Sequence, residues 1–324
     1  MMRLLGPHSW TLGLGLLLAL LLVATKVIQP DFGVSGLDSL ARAALPFALA
    51  SVGMAIVVIA GGIDLSMAAM MAVASVTAAV LMDGASDGQA ALAVLFVLMV
   101  GIGMGAINGT LIVLTRVPDI VVTLAMLFVW QGVALLILNA PGGGAAPWLR
   151  NLIVGGVTLP FLPAALTEWI PKALVVLIVV TAAIWLPLRR SKLGLMFYAV
   201  GSDPLAAYRS GVPVGLTRIA AYAVAGLFAA LGGLAVTMGT GIGEPIPGPY
   251  LLTSVAAVVL GGVVLGGGRG GILGPILAVM VLRLVRMDLT LMNVDPNMTT
   301  IIEGLIMVGV VMFGGVLALR GRKT

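Results

Sequence analysis

Three carboxylates lie deep in the long apolar stretches of this chain: Asp64, Asp119 and Glu303. Asp64 belongs to Gly61-Gly62-Ile63-Asp64-Leu65-Ser66, between two uncharged runs, Ala43 to Ala60 and Leu65 to Met82. An acid so placed either couples transport to a gradient or performs a structural task within the protein interior. The structural task is the stronger expectation for all three. Asp64 can accept the backbone N–H of Ser66 or Met67 and cap the helix that follows. Asp119, directly after Pro118, complements the positive end of a helix as a first-turn acid. Glu303 lies about one turn inside the last apolar run. Four further polar residues, Asn108, Thr123, Gln131 and Thr237, interrupt apolar helices. They are candidates for lining a path through the protein. The competing role is hydrogen bonding between helices, worth about 0.6–2 kcal/mol per contact.

Catalysis finds no support. There is no cysteine, which excludes thiolate chemistry, and the single histidine, His8, sits near the N-terminus, which argues against a histidine-based metal or catalytic site. The glycine-rich run Gly261 to Gly271 lacks the Gly-Lys-Ser/Thr ending of a phosphate-binding loop. It reads as a tight turn between packed helices. No cofactor is expected, and the chain is read as non-catalytic.

The elements that must hold these residues are set by composition. Apolar residues make up 61% of the chain and charged residues 9%, against roughly 25% charged in a soluble protein. This is an integral membrane protein. Its 44 glycines favour closely packed helices, because small residues let backbones approach in lipid. The alternating segments of a membrane β-barrel are absent. The expected fold is an all-α polytopic membrane protein with about ten transmembrane helices, in one domain over residues 1–324. The spans run from Leu12 to Ile28, on each side of Gly61-Gly62, from Ala90 to Leu114, Ile120 to Leu138, Ala173 to Leu188, Ile219 to Met238, Tyr250 to Leu265, Ile272 to Met287 and Met298 to Leu319. Pro141 to Gly144 and Pro160 to Pro163 break the longest connection.

Most of the 17 lysines and arginines, including Arg3, Arg116, Arg189, Arg190, Lys192, Arg322 and Lys323, then fall on the side that holds both termini. That side is cytoplasmic by the positive-inside rule. The net charge of +5 is thus a topology signal and not a nucleic-acid footprint. A faint echo, apolar run then Gly-Gly then polar turn then small-residue helix, recurs at Val57 to Val76 and Val259 to Val279 and is compatible with two related halves. The segment 189–218 is too polar to span. Within it Asp203-Pro204 opens a short helix that ends at Ser210 and Gly211, with an acceptor before the helix, proline at its first position and glycine beyond its end. Such a helix suits a docking surface; a loop lying on the headgroups is the alternative.

Several of these blocks resemble the membrane permeases of ribose/xylose-type (simple-sugar) ABC importers. Gly61 to Ser66 is similar to their signature turn, in Gly61, Gly62, Asp64 and Ser66. Gly194 to Gly211 is similar to their cytoplasmic loop that docks on the ATPase. Val117-Pro118 with Thr123-Leu124 and Gly132 matches a third block, and Ala256-Ala257 with Gly261-Gly262 and Gly267 to Gly270 a fourth. The chain departs from the pattern in Met67-Ala68-Ala69, in Gln131 and in Leu251-Leu252-Thr253 after Tyr250. The resemblance implies a permease subunit in the bacterial inner membrane that carries a sugar or sugar-like solute. Its partners would be an ABC ATPase subunit that binds the ATP, a second permease copy or paralogue and an extracytoplasmic solute-binding protein. Gly201, Asp203, Pro204, Ala206, Ala207, Arg209, Ser210 and Gly211 would form the docking segment. Importers of branched-chain amino acids or nucleosides look broadly alike, and an ion-coupled carrier is a further alternative.

Overall fold

The computed structural model describes residues 9–158, 163 and 167–321. The expectations placed on Arg3, His8, Pro160 to Leu162, Arg322 and Lys323 lie outside the described residues. Every regular element among those residues is helical: α1 (Ser9–Ile28), α2 (Val34–Ile59), α3 (Met67–Met82), α4 (Asp87–Thr115), α5 (Asp119–Ile137), α6 (Pro147–Asn151), α7 (Lys172–Arg190), α8 (Lys192–Ser202), α9 (Pro204–Arg209), α10 (Val214–Thr240), α11 (Tyr250–Leu260), α12 (Leu273–Leu291) and α13 (Pro296–Gly321). Six of them, α1, α2, α4, α5, α7 and α10, are long and apolar enough to cross a bilayer, and α3 and α11 are shorter apolar helices.

α2, α3 and α10 form the centre. Buried residues cover almost all of α2 and α3 and most of α10. α1 and α5, equally apolar, turn Leu12, Val27, Phe128 and Leu136 outward, as lipid-facing helices do. Small residues set the spacing of the centre. A Cβ on Gly105 would overlap the Tyr222 carbonyl, and one on Gly226 the Gly101 carbonyl. α4 and α10 therefore touch backbone to backbone and run antiparallel, with Gly101, Gly105 and Gly109 facing Gly226, Tyr222 and Ile219 in turn. This is small-xxx-small packing. α3 runs parallel to α10, Met71 meeting Gly233 and Ser75 meeting Thr237.

Several boundaries differ from the sequence expectation: α2 begins at Val34 and α10 at Val214, ahead of Ala43 and Ile219, and two others differ at the far end of a span. The span expected from Tyr250 to Leu265 stops as a helix at Leu260. Its 11 residues cover about 16 Å, half of the ~30 Å hydrocarbon core. Gly261 and Gly262 end it, and the remaining valines and leucine run through an irregular turn. Conversely, α12 continues through Asp288 to Leu291, where a polar loop was expected.

Candidate translocation and docking site

α2 ends in a Schellman motif. The Gly62 N–H donates to the Val57 carbonyl and the Gly61 N–H to the Val58 carbonyl, both at 2.9 Å. Gly61 has φ +85°, the left-handed conformation this motif gives to glycine. Four residues intervene before α3 begins at Met67, and Asp64 organises the gap. It is fully buried. Its Oδ1 accepts the Ser66 N–H at 2.9 Å and the Ser66 hydroxyl at 2.6 Å; the first is the backbone bond that the sequence implied, made to the residue just ahead of α3. The Asn108 amide donates to Ser66 Oγ at 2.7 Å, and the Trp130 indole donates to Asn108 Oδ1 at 3.1 Å. Each donor in this row points toward the carboxylate, so the bonds reinforce one another and tie α3, α4 and α5 together. The start of α3 favours the same negative charge.

A second group adjoins it. Thr123 Oγ accepts the Leu65 N–H at 3.1 Å and donates to the Asp119 carbonyl at 2.8 Å. The Tyr222 hydroxyl donates to Asp119 Oδ2 at 2.9 Å, with Arg218 on the other oxygen at 3.9 Å. Thr237, on α10, shares a 2.9 Å hydrogen bond with Ser75. Asn108, Thr123 and Thr237 are thus buried with partners inside the bundle, while Gln131 is half-exposed. Glu303 pairs with Arg286 at 2.8 Å and joins α13 to α12. Where α3, α10 and the turn before α11 meet, a pocket lined by Ala72, Ser75, Glu244 and Tyr250 holds about 10 Å³, room for a single water.

The segment 189–218 contains two helices, α8 and α9, where the sequence indicated one. Ser191 Oγ caps α8 by accepting the Gly194 N–H at 3.2 Å. α9 follows the sequence expectation closely. Asp203 Oδ1 accepts the N–H groups of Leu205 and Ala206 at 2.9 and 3.0 Å, and Pro204 is the first helical residue. A second Schellman motif ends it, with Gly211 at φ +83° and the Val212 N–H on the Ala207 carbonyl at 3.0 Å. Asp203, Pro204, Ala206, Arg209, Ser210 and Gly211 are exposed, whereas Gly201 and Ala207 are buried within this chain. Leu205 and Tyr208, 57% and 70% exposed, give α9 an apolar surface; Tyr208 was among the apolar residues that mark this segment in the sequence, whereas Leu205 was missed, although its spacing of three from Tyr208 puts the two on one helix face.

α8 also reaches the second glycine-rich turn. The Tyr198 hydroxyl donates to the Gly270 carbonyl at 3.0 Å. Partial burial raises the pKa of that hydroxyl, so the donor proton is retained.

Apolar spans interrupted by glycine turns, with an exposed capped helix beside those turns, define a polytopic α-helical membrane protein of the permease type. A family model described as branched-chain amino acid transport system / permease component matches residues 36–311, and the chain belongs to that family. It is also similar to the autoinducer 2 import system permease protein LsrD of Escherichia coli K12, 28% identical over 316 residues that cover 94% of this chain and 92% of the relative. The same protein of Shigella flexneri and of E. coli O157:H7 shows the same identity and coverage. No solved structure matches the chain.

Proposed function

We propose that this chain is the membrane permease subunit of an ATP-driven ABC importer for a sugar or sugar-like solute. The observation that carries the ABC assignment is α9, a rigid capped helix presenting Leu205, Ala206 and Tyr208 outward in a chain whose family is the permease component of a transport system. α9 seats in a groove of a separate ATPase subunit, which binds and hydrolyses the ATP. A second permease copy or paralogue completes the path, and a binding protein outside delivers the solute. Ten crossings are reached when α3, α12 and α13 join the six long helices and α11 crosses together with the irregular turn that follows it, in one permease domain. The bias of lysine and arginine supports cytoplasmic termini; labelling of a cysteine at Ser202 by an impermeant reagent in intact cells would overturn that orientation.

The substrate class rests on chemistry and on the similar proteins, whose name specifies autoinducer 2. Asn108, Thr123, Ser75 and Thr237 are neutral, and the three deep acids have partners within the chain: Asp64 holds Ser66 through one oxygen, Asp119 meets Tyr222 and Arg218, and Glu303 pairs with Arg286. A zwitterionic amino acid calls for fixed charges of both signs; a polyhydroxyl solute calls for exchangeable hydrogen bonds. On opening, the internal bonds of these side chains would exchange for solute hydroxyls. Cells expressing the chain with its ATPase and binding protein should take up labelled ribose or autoinducer 2 and not leucine. Uptake of leucine alone would move the assignment to the amino-acid class.

A further inference from the structure

The sequence echo between the two glycine-rich turns has a physical counterpart: the turns touch, and α8 is inserted where they meet. The Gly268 N–H donates to the Ile59 carbonyl at 2.8 Å, which joins the second turn to the end of α2. Gly201, in the last turn of α8, lies against both. A Cβ on Gly201 would overlap the Ile59 carbonyl and stand 2.6 Å from the Gly268 nitrogen. A Cβ on Gly267 would come within 2.6 Å of the Gly201 carbonyl and 2.9 Å of the Gly61 Cα. Gly61, Gly267 and Gly268 all have positive φ, so glycine is demanded there by conformation as well as by space. At Gly61, Gly201 and Gly267 three backbones meet directly, with the Ser202 side chain beside Gly268, and Asp203 and α9 follow within three residues of Gly201.

We propose that Gly201 is the joint through which displacement of the docking helix moves both membrane turns together. α9 is a rigid lever, capped at each end, and α8 is its shaft. Gly201 presses on the end of α2, whose turn leads into α3, and on the turn that leads into α12. Tyr198, through Gly270, holds the shaft to the second turn. Side chains at this point would flex and absorb the displacement, whereas backbone in direct contact transmits it. Close-packed elements with discrete arrangements respond as units. Gly201 and Tyr198 are therefore positioning residues that couple ATP hydrolysis to the opening of the path. The inference rests on α9 being the docking helix.

The test uses the complete complex of permease, ATPase and binding protein in proteoliposomes, with labelled ribose or autoinducer 2 as solute, and measures uptake and ATP hydrolysis together. Gly201 is buried within this chain and so cannot itself touch the ATPase, unlike the exposed docking residues of α9; Gly201→Ala should therefore assemble with the ATPase at normal yield and hydrolyse ATP within about twofold of the unaltered complex. Its uptake should fall at least roughly tenfold, so that hydrolysis continues without transport. Tyr198→Phe, which removes one hydroxyl and keeps the ring, should raise the ATP used per solute at least about twofold; it decides the matter if Gly201→Ala fails to insert. Normal ATP use per solute in Tyr198→Phe, or in Gly201→Ala where it inserts, would overturn the joint and leave docking intact. Loss of assembly in Gly201→Ala with normal coupling in Tyr198→Phe would also overturn it, by making Gly201 part of the docking surface itself. Normal assembly and hydrolysis in Ala206→Trp would instead sink the docking assignment.

Discussion

The two glycine-rich turns stop their helices by the same device and are then held in opposite ways. In the second turn the Val263 N–H reaches the Val258 carbonyl at 3.1 Å and the Gly262 N–H the Val259 carbonyl at 3.0 Å, the Schellman pattern seen at Gly61 and Gly62. Past that point they diverge. The first turn is fastened by side chains, in the buried row from Trp130 through Asn108 and Ser66 to Asp64. The second exposes Val264 and Leu265 by 41% and 44%. It is held by backbone bonds, Val264 to Arg269 at 3.2 Å and Gly268 to Ile59 at 2.8 Å, and by two side-chain donors at its rim, the Tyr198 hydroxyl on the Gly270 carbonyl and the Trp10 indole on the Leu260 carbonyl at 2.6 Å. The first turn can move only together with the bundle to which its side chains tie it; the second leans on the first through backbone and has the lower local stability, which follows the density of buried contacts.

That difference can be broken first at Asp64. Asp64→Ala leaves the Ser66 N–H and the head of the hydrogen-bonded row without an acceptor, at a cost of about 2–4 kcal/mol from one lost cap and buried unsatisfied donors. The unfolding midpoint of the purified permease in detergent should drop markedly, and Asp64→Asn, which keeps an acceptor oxygen, should recover most of the loss. An unchanged midpoint in Asp64→Ala would remove the anchored character of this turn. Two glycines, one in the anchored turn and one in the exposed part of the second, sharpen the contrast. A Cβ on Gly62 would stand 2.6 Å from Asp119 Oδ2 and 2.7 Å from the Tyr222 hydroxyl, so Gly62→Ala should cost about 1–3 kcal/mol by overpacking. Gly266 has only a Val264 methyl at 3.9 Å and no positive φ, and Gly266→Ala should stay within about 0.5 kcal/mol. Equal effects at the two sites would mean that the turns are equally constrained.

What the sequence made legible was local. The α9 cap, its proline and its terminal glycine are encoded within nine residues, and Asp64 as a cap needs only Ser66 two positions on. The family resemblance came from the same short blocks, and the family match agrees with it. Non-local features were not legible. A uniformly apolar helix carries the same hydropathy whether lipid or protein surrounds it, so the burial of α2 and the exposure of α1 could not be told apart. The early end of α11 was hidden because Val263, Val264 and Leu265 prolong the apolar run past the glycines that stop the helix. The meeting of Gly61, Gly201 and Gly268 depends on backbones brought together from three distant segments, and glycine leaves no pattern by which to pair them.

The central claim is that α9 is where an ATPase drives this permease. Ala206 is exposed, whereas Ala207 is packed into the chain itself; Ala206→Trp therefore tests docking without disturbing the permease core. In the reconstituted complex with its binding protein and solute, the account predicts that Ala206→Trp inserts normally, with an unchanged unfolding midpoint, and loses solute-stimulated ATP hydrolysis. Stimulation at the unaltered rate, with the complex recovered at normal yield, would contradict it.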